Sequence, residues 1–470
     1  MNAAATQLHT PDLTGRARLR DLAPLLLRGG PADRRSRLLP VAAFAVVTAL
    51  TLTVAGGAEF FLRLDEVGVD SSYQGVYAAL ACVALVVLAV PLLALCGSAV
   101  RLSTRRRDTR LSSMRLLGAP RRLLVRLSVL EAGGLALAGV LVGVVGHLVL
   151  APLVGTVRFV GGPIGTAAVV PSLPVAFLTI AVLVGTAVVA AALGLQKVAI
   201  TPLGVRTREL PAGAHWVRAV VALVVIGAIS LAGRSLGAAG SLLVAVLVVV
   251  GMLGAGLAVL NVHGPWLLRL LSRRSVRRGG SGPGAVTRLL AARTVLDDPR
   301  AVWRQVSGVA MVSYVSVIVG AGLALANLTA AGDRSPADVM LTDDLRTGIL
   351  LTIAIAFATL AASITVHAAA EVFDRRDLYV ALDRLGTPRA QLERTRRQVV
   401  LRPLFTVCLV SAVAGAVTVL PLTGAALVLD PLTLLAVVGA LGLGLLVVRL
   451  AVGATTPLLR QVLESPEPVV

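Results

Sequence analysis

Residues 120–153 read PRRLLVRLSVLEAGGLALAGVLVGVVGHLVLAPL, with three arginines in the first seven positions and one charge, Glu131, in the 25 residues after Ser128. A helix of about 20 apolar residues crosses a hydrocarbon core roughly 30 Å thick, and arginines just before such a run mark the side of the membrane that is not translocated. The same alternation of basic segment and apolar run covers the chain, giving spans near 39–62, 76–100, 127–153, 172–194, 218–236, 240–263, 305–327, 345–369, 403–427 and 432–455. Of 470 residues, 57% are hydrophobic and 14% charged, and the mean hydropathy of +0.89 excludes a water-soluble globule. Because lipid offers no partners to an open backbone, runs of this length read as helices. The expectation is an all-α polytopic membrane protein of about ten transmembrane helices.

Charge placement orients them. Lysine and arginine total 44 against 24 acids, a net charge of +20, and Lys197 is the sole lysine. With the N-terminus inside, 38 of these cations fall in cytoplasmic segments and only Arg63, Arg158, Arg234, Arg334 and Arg346 in outer loops. Nine acids lie outside: Glu59, Asp65, Glu66, Asp70, Asp333, Asp338, Asp343, Asp344 and Asp430. This lopsidedness is topological and carries no nucleic-acid footprint; it predicts both termini in the cytoplasm. The tryptophans Trp216, Trp266 and Trp303 are expected half-wet at the inner interface. The first apolar run comes too late for a cleavable signal peptide. Arginine in place of lysine, with abundant Ala, Gly and Val, is what a GC-rich genome encodes, and the expected location is a bacterial plasma membrane. No outer loop has room for a sizeable extracellular domain.

The chain repeats itself. Leu117-Gly118-Ala119-Pro120-Arg121 returns as Leu385-Gly386-Thr387-Pro388-Arg389, an offset of 268 that also relates Arg126 to Arg394, Asp70 to Asp338 and Pro31 to Pro299. After the fourth and tenth spans Thr201-Pro202-Leu203 and Thr456-Pro457-Leu458 match at an offset of 255, the shorter last outer loop making the difference. Recurrence at the same place relative to the spans predicts two parallel four-helix modules joined by two central helices. The boundaries are a cytoplasmic N-terminal segment over 1–38, a first module over 39–206, a two-helix linker over 207–270, a cytoplasmic segment over 271–304, a second module over 305–460 and a tail over 461–470.

Between the second and third spans, Leu111, Met114 and Leu117, then Leu123, Leu124 and Leu127, recur at spacings of three and four, which predicts an amphipathic helix broken at Gly118-Ala119-Pro120. The second copy repeats the plan with Leu378, Ala381, Leu382 and Leu385, then Leu392. A solvated basic loop accounts for the charge but not for a matched apolar face and matched break. In the third span Gly134, Gly139, Gly143 and Gly146 place a Gly-x-x-x-Gly spacing where helix backbones can touch.

These segments, with Glu131-Ala-Gly-Gly-Leu-Ala-Leu-Ala-Gly-Val-Leu-Val-Gly143 beyond them, resemble the FtsX-like permease domain of MacB-type ABC transporters, and the tandem ten-span plan is similar to the bacitracin-export type. The resemblance implies that each segment after the second span of a module is a coupling helix docked on a separate ATPase, and by position it nominates 108–122 and 377–390. The docking residues so implied are Asp108, Leu111, Met114, Leu117, Gly118, Pro120 and Arg121, with Asp377, Leu382, Leu385, Gly386, Pro388 and Arg389. The chain departs from the family in lacking the sizeable extracellular domain, and Val399 stands where copy one has Glu131.

A phosphate-binding loop needs Gly-x-x-x-x-Gly-Lys-Ser/Thr, and Lys197 follows Gln196, so this chain is not its own ATPase. Cys82, Cys96 and Cys408 sit in apolar runs as small buried hydrophobes, and His367 with Glu371 makes at most half a metal site. No catalytic triad or cofactor site emerges; ATP and magnesium belong to a partner ATPase, expected in two copies. The reading is a non-enzymatic permease subunit that exports or releases an amphiphile such as a lipid, a peptide antibiotic or another hydrophobic compound. The alternatives are a non-transporting relay to an envelope partner and an ion-coupled carrier, for which only Glu131 and Arg449 lie within spans.

Overall fold

The computed structural model describes residues 31–64, 71–116, 121–200, 242–277, 285–329, 336–423 and 426–464. In chain order these form α1 (Pro31–Leu62), α2 (Ser71–Leu116), α3 (Arg121–Gly155), a hairpin of β1 (Arg158–Phe159) and β2 (Gly162–Pro163), the single turn α4 (Thr166–Val169) and α5 (Leu173–Ile200). Then come α6 (Leu242–Arg277), α7 (Ala285–Asp297), α8 (Pro299–Thr329), α9 (Pro336–Asp374), α10 (Arg376–Arg384), α11 (Arg389–Thr423), α12 (Ala426–Leu429), α13 (Pro431–Ala454) and α14 (Thr456–Glu464).

Seven of these, α1, α2, α3, α8, α9, α11 and α13, are long and apolar enough to cross a membrane, and α5 adds a shorter apolar stretch, Leu173–Val189. The sixth expected span falls on α6, while the fifth lies outside the described residues. This is a multi-pass helical membrane protein whose only strands, among the described residues, are the two of that hairpin. The outward faces agree: Leu141, Val149, Leu153, Phe177, Leu432 and Leu435 are each more than three-fifths exposed, a surface that only lipid accommodates.

The helix starts carry the repeat into three dimensions. α1 begins at Pro31 and α8 at Pro299; α3 begins at Arg121 and α11 at Arg389. Both pairs are separated by 268 residues. Proline suits a first helical position, where its missing N–H has no intrahelical partner to lose. The first and third helices of each quartet are the most intimate pair: α1 lies along α3, and α8 along α11.

Two buried clusters hold the quartets, and each borrows from the other. Phe44, Val47, Leu95 and Cys96 pack with Leu183 around Val366, which comes from α9. Val306, Phe357, Leu360, Leu404 and Val448 form the larger cluster, which takes in Leu88 and Leu92 from α2. α2 and α9 are therefore the helices that join the halves. Ser98 and Ser363 hydrogen-bond across that seam at 3.2 Å. The offset makes Leu95 equivalent to Ser363 and Val366 equivalent to Ser98, and Leu95 and Val366 share one cluster, as a two-fold-like pairing requires.

α6 packs on α8 through close approaches that need glycine. A Cβ on Gly264 would lie 2.2 Å from the Trp303 ring and one on Gly256 1.9 Å from the Tyr314 hydroxyl. Trp303, expected half-wet, is 4% exposed, with its indole N–H donating to Asn261 Oδ1 at 2.8 Å. Cys96 and Cys408 are buried as expected, but Cys82 is exposed on α2.

Candidate functional site

The arginine-rich end of the bundle carries the second expected docking segment. α9 ends at Asp374, and after Arg375 the chain continues as the short α10, hinged by φ −106° at Arg375. Tyr379 anchors α10 from beneath, buried with Val372 of α9 and with Leu459 and Leu463 of α14. Burial there pushes its phenol above the ordinary tyrosine range, with the Glu371 carboxylate adding to the effect. The opposite face is bare: Leu378 is 51% and Leu385 81% exposed, Ala381 is exposed, and Leu382 is half-buried at the boundary.

The repeated motif is a helix stop followed by a helix start. Gly386 has φ +82°, a left-handed conformation that glycine takes without penalty. Its N–H donates to Asp383 O at 3.0 Å and that of Thr387 to Leu382 O at 3.1 Å, the paired closure of a Schellman ending. Pro388 O then accepts from Gln391 N at 2.8 Å to open α11, and Arg389 reaches back to Asp383 Oδ1 at 3.3 Å. Asp377 lies on α10, its side chain outside those described.

In the first copy Asp108, Leu111 and Met114 fall on α2, which runs unbroken from the membrane to Leu116; their side chains, and Leu117, Gly118 and Pro120 altogether, lie outside the described residues. Arg121 opens α3.

Where α11 leaves this end, it is tied to α14. Glu393 accepts from the Thr456 hydroxyl at 2.6 Å and pairs with Arg397, while Arg396, 4% exposed, donates to Thr455 Oγ1 at 2.7 Å. The Thr456-Pro457 repeat thus serves as the knot between the last helix and α11, a role not evident from spacing.

On α3, a Cβ at Gly139 would fall 2.4 Å from Phe44 Cβ and 2.8 Å from Val41 O, and one at Gly143 2.6 Å from Ala45 O. Gly146 makes an ordinary 3.4 Å contact with Ala49. Gly134, expected on the same seam, stands clear of it, with nothing within 4 Å. The seam is therefore the last three glycines against α1. Just beyond them Thr53 donates to Ala49 O at 2.8 Å, so its oxygen accepts from His147 Nδ1 at 2.9 Å. His367, weighed as half a metal site, instead approaches Ser98 at 3.4 Å across the α2–α9 seam, while Glu371 pairs with Arg375. Among the described residues no three candidate ligands converge on a metal position.

At the other end, a cavity of about 190 Å³ opens between the quartets, walled by α1, α2, α8 and α9. Its lining is apolar, with Phe61, Leu88, Val315 and Ile353 among the walls, and Thr53, Tyr77, Ser316, Asp344 and Thr352 as its polar side chains. The hairpin covers it. Phe159 meets Phe61 edge-on at 5.1 Å, Phe61 stacks on Tyr77 at 6.1 Å, and the turn reaches across to α9, where the Val160 N–H donates to Asp344 Oδ2 at 2.9 Å. Tyr77 donates to the same oxygen at 2.5 Å. Val160 holds φ +52°, an uncommon posture for a β-branched residue. The hairpin occupies the longer outer loop that lowered the offset from 268 to 255.

The chain matches no family model, no curated protein and no solved structure.

Proposed function

We propose that this chain is the membrane subunit of an ATP-driven permease of the FtsX-like, MacB type, with its two quartets as tandem modules within a ten-span plan. Hydrolysis occurs on a separate cytoplasmic ATPase, with two copies engaging the segments at 108–122 and 377–390. The observation that carries the reading is the divided face of α10. Tyr379 fixes the helix to α9 and α14, leaving Leu378, Ala381 and Leu385 presented outward as a rigid apolar ridge on a basic surface. A helix held on one side and bare on the other transmits a push. Motion there passes directly into α9 and, through the Gly386 break, into α11.

α9 also walls the cavity between the quartets, so a tilt at the arginine-rich end changes the space into which an amphiphile fits. The arrangement of arginines supports the plasma-membrane topology, with α10 cytoplasmic and the hairpin outside. The test is the double variant Leu117→Asp with Leu385→Asp. It is expected to lose ATPase co-purification and stimulation; a double variant that binds and stimulates the ATPase normally overturns the assignment.

A further inference from the structure

Among the described residues that line the covered cavity one is acidic, Asp344, and its surroundings are unusual for a carboxylate. Asp344 is 6% exposed, and both hydrogen bonds that it receives come from uncharged donors, the Tyr77 hydroxyl and the Val160 amide. Among the described residues, no arginine or lysine forms an ion pair with it. Arg158, two residues before the Val160 donor, and Arg346, two residues after Asp344, form no ion pair with it. A buried carboxylate without a counter-ion is costly, and one held at the outer end of an apolar cavity is suited to a charged partner that arrives. Around it the Phe61 and Phe159 rings and Tyr77 present aromatic surfaces of the kind that attract onium groups. Apart from the hydroxyls of Thr53, Ser316 and Thr352, the remaining walls are hydrocarbon.

We propose that the cavity binds a cationic amphiphile, its apolar body between α1, α2, α8 and α9 and its ammonium-type head paired with the Asp344 carboxylate under the hairpin. This deepens the permease reading by naming the substrate class of the same machine, and it rests on that reading for its transport meaning. Binding itself requires no ATPase. Neutral and anionic amphiphiles fit the walls equally well, so the head group alone is selected by Asp344.

The test uses the full chain in lipid nanodiscs, without nucleotide or ATPase, and equilibrium binding of three labelled probes with the same twelve-carbon tail: dodecyltrimethylammonium, dodecanol and dodecanoate, with empty nanodiscs subtracted. The cation is expected to bind saturably and most tightly. Asp344→Asn is expected to weaken it by about tenfold or more, as loss of one desolvated charge pair does, while leaving dodecanol unchanged. Tyr77→Phe keeps the carboxylate and removes a latch hydrogen bond, so cation binding survives in it; this separates charge from latch. Equal affinity for the three heads, or full cation affinity in Asp344→Asn, overturns the proposal. If Asp344→Asn does not fold, the head-group order in the unaltered chain and in Tyr77→Phe still decides. Failure here leaves ATPase docking intact, whereas failure of docking leaves these binding curves untouched.

Discussion

Alanine at Gly139 is the sharpest perturbation of the first quartet. The added Cβ would sit 2.4 Å from Phe44 Cβ and 2.8 Å from Val41 O, and because a Cβ and a backbone oxygen of α1 move only with the helix itself, no side-chain rotation relieves it. Carbon atoms pack at about 3.5–4.0 Å, so α1 and α3 must part by roughly 1.2 Å, opening the cluster of Phe44, Val47 and Leu95. Overpacking of this kind costs about 1–3 kcal/mol, against which alanine recovers about 0.8–1 kcal/mol of helix propensity. At Gly134 only the second effect operates, since nothing lies within 4 Å. Gly134→Ala should thus be neutral or slightly stabilising, and the two variants should differ by about 2 kcal/mol, with Gly139→Ala/Gly143→Ala worse than either. Cys96 is buried in the same cluster and free, so its labelling by a thiol-reactive dye during a thermal ramp, in a Cys82→Ser/Cys408→Ala background, reports unfolding of this quartet. Equal midpoints for Gly134→Ala and Gly139→Ala would refute the packing argument.

Gly386→Ala forces a left-handed residue with a Cβ, at a cost of about 1–2 kcal/mol, so α10 should fray and tryptic cleavage after Arg384 or Arg389 should accelerate about fivefold or more; an unchanged rate would show that the Schellman ending does not hold the segment. Asp430 caps α13 through Thr433 and accepts from Asn327 at 2.9 Å, and these bonds, the Asn327 one foremost, hold its carboxyl below the ordinary aspartate range. A folded-state value below the unfolded one stabilises above about pH 4 and is lost as pH falls through the depressed value. Asp430→Asn should therefore abolish that acid limb of the stability profile while Asp430→Ala costs about 1 kcal/mol at neutral pH, and an acid limb unchanged in Asp430→Asn would contradict the assignment.

The parts legible in the sequence are those written locally. Pro31 and Pro299 mark helix starts because proline tolerates that position, and Leu-Gly-x-Pro-Arg states its own geometry: glycine for the left-handed stop, proline for the restart. Gly139 and Gly143 announced a close seam by spacing alone, whereas Gly134, five residues before Gly139 and so about 140° round the helix, faces away. What stayed hidden depends on partners far along the chain. Tyr379 reads as one more residue on α10 until α14 covers it. Asp344 was one of nine outer acids until Tyr77, 267 residues away, bonded to it. The hairpin was concealed by its own chemistry, since a turn through Val160-Gly161 lacks the asparagine or aspartate that ordinarily announces a two-residue connection. Trp303 was misplaced because an indole at a span start suits both an interface and a glycine-floored slot.

The most direct measurement is the sidedness of the two levers. In a cysteine-free background, Met114→Cys and Leu385→Cys are exposed to a membrane-impermeant thiol reagent in intact cells and in inverted vesicles. Both positions should react only in inverted vesicles, and added ATPase should protect both. Labelling of either from outside the cell, or of the two from opposite faces, would contradict a machine driven from within at two matched points.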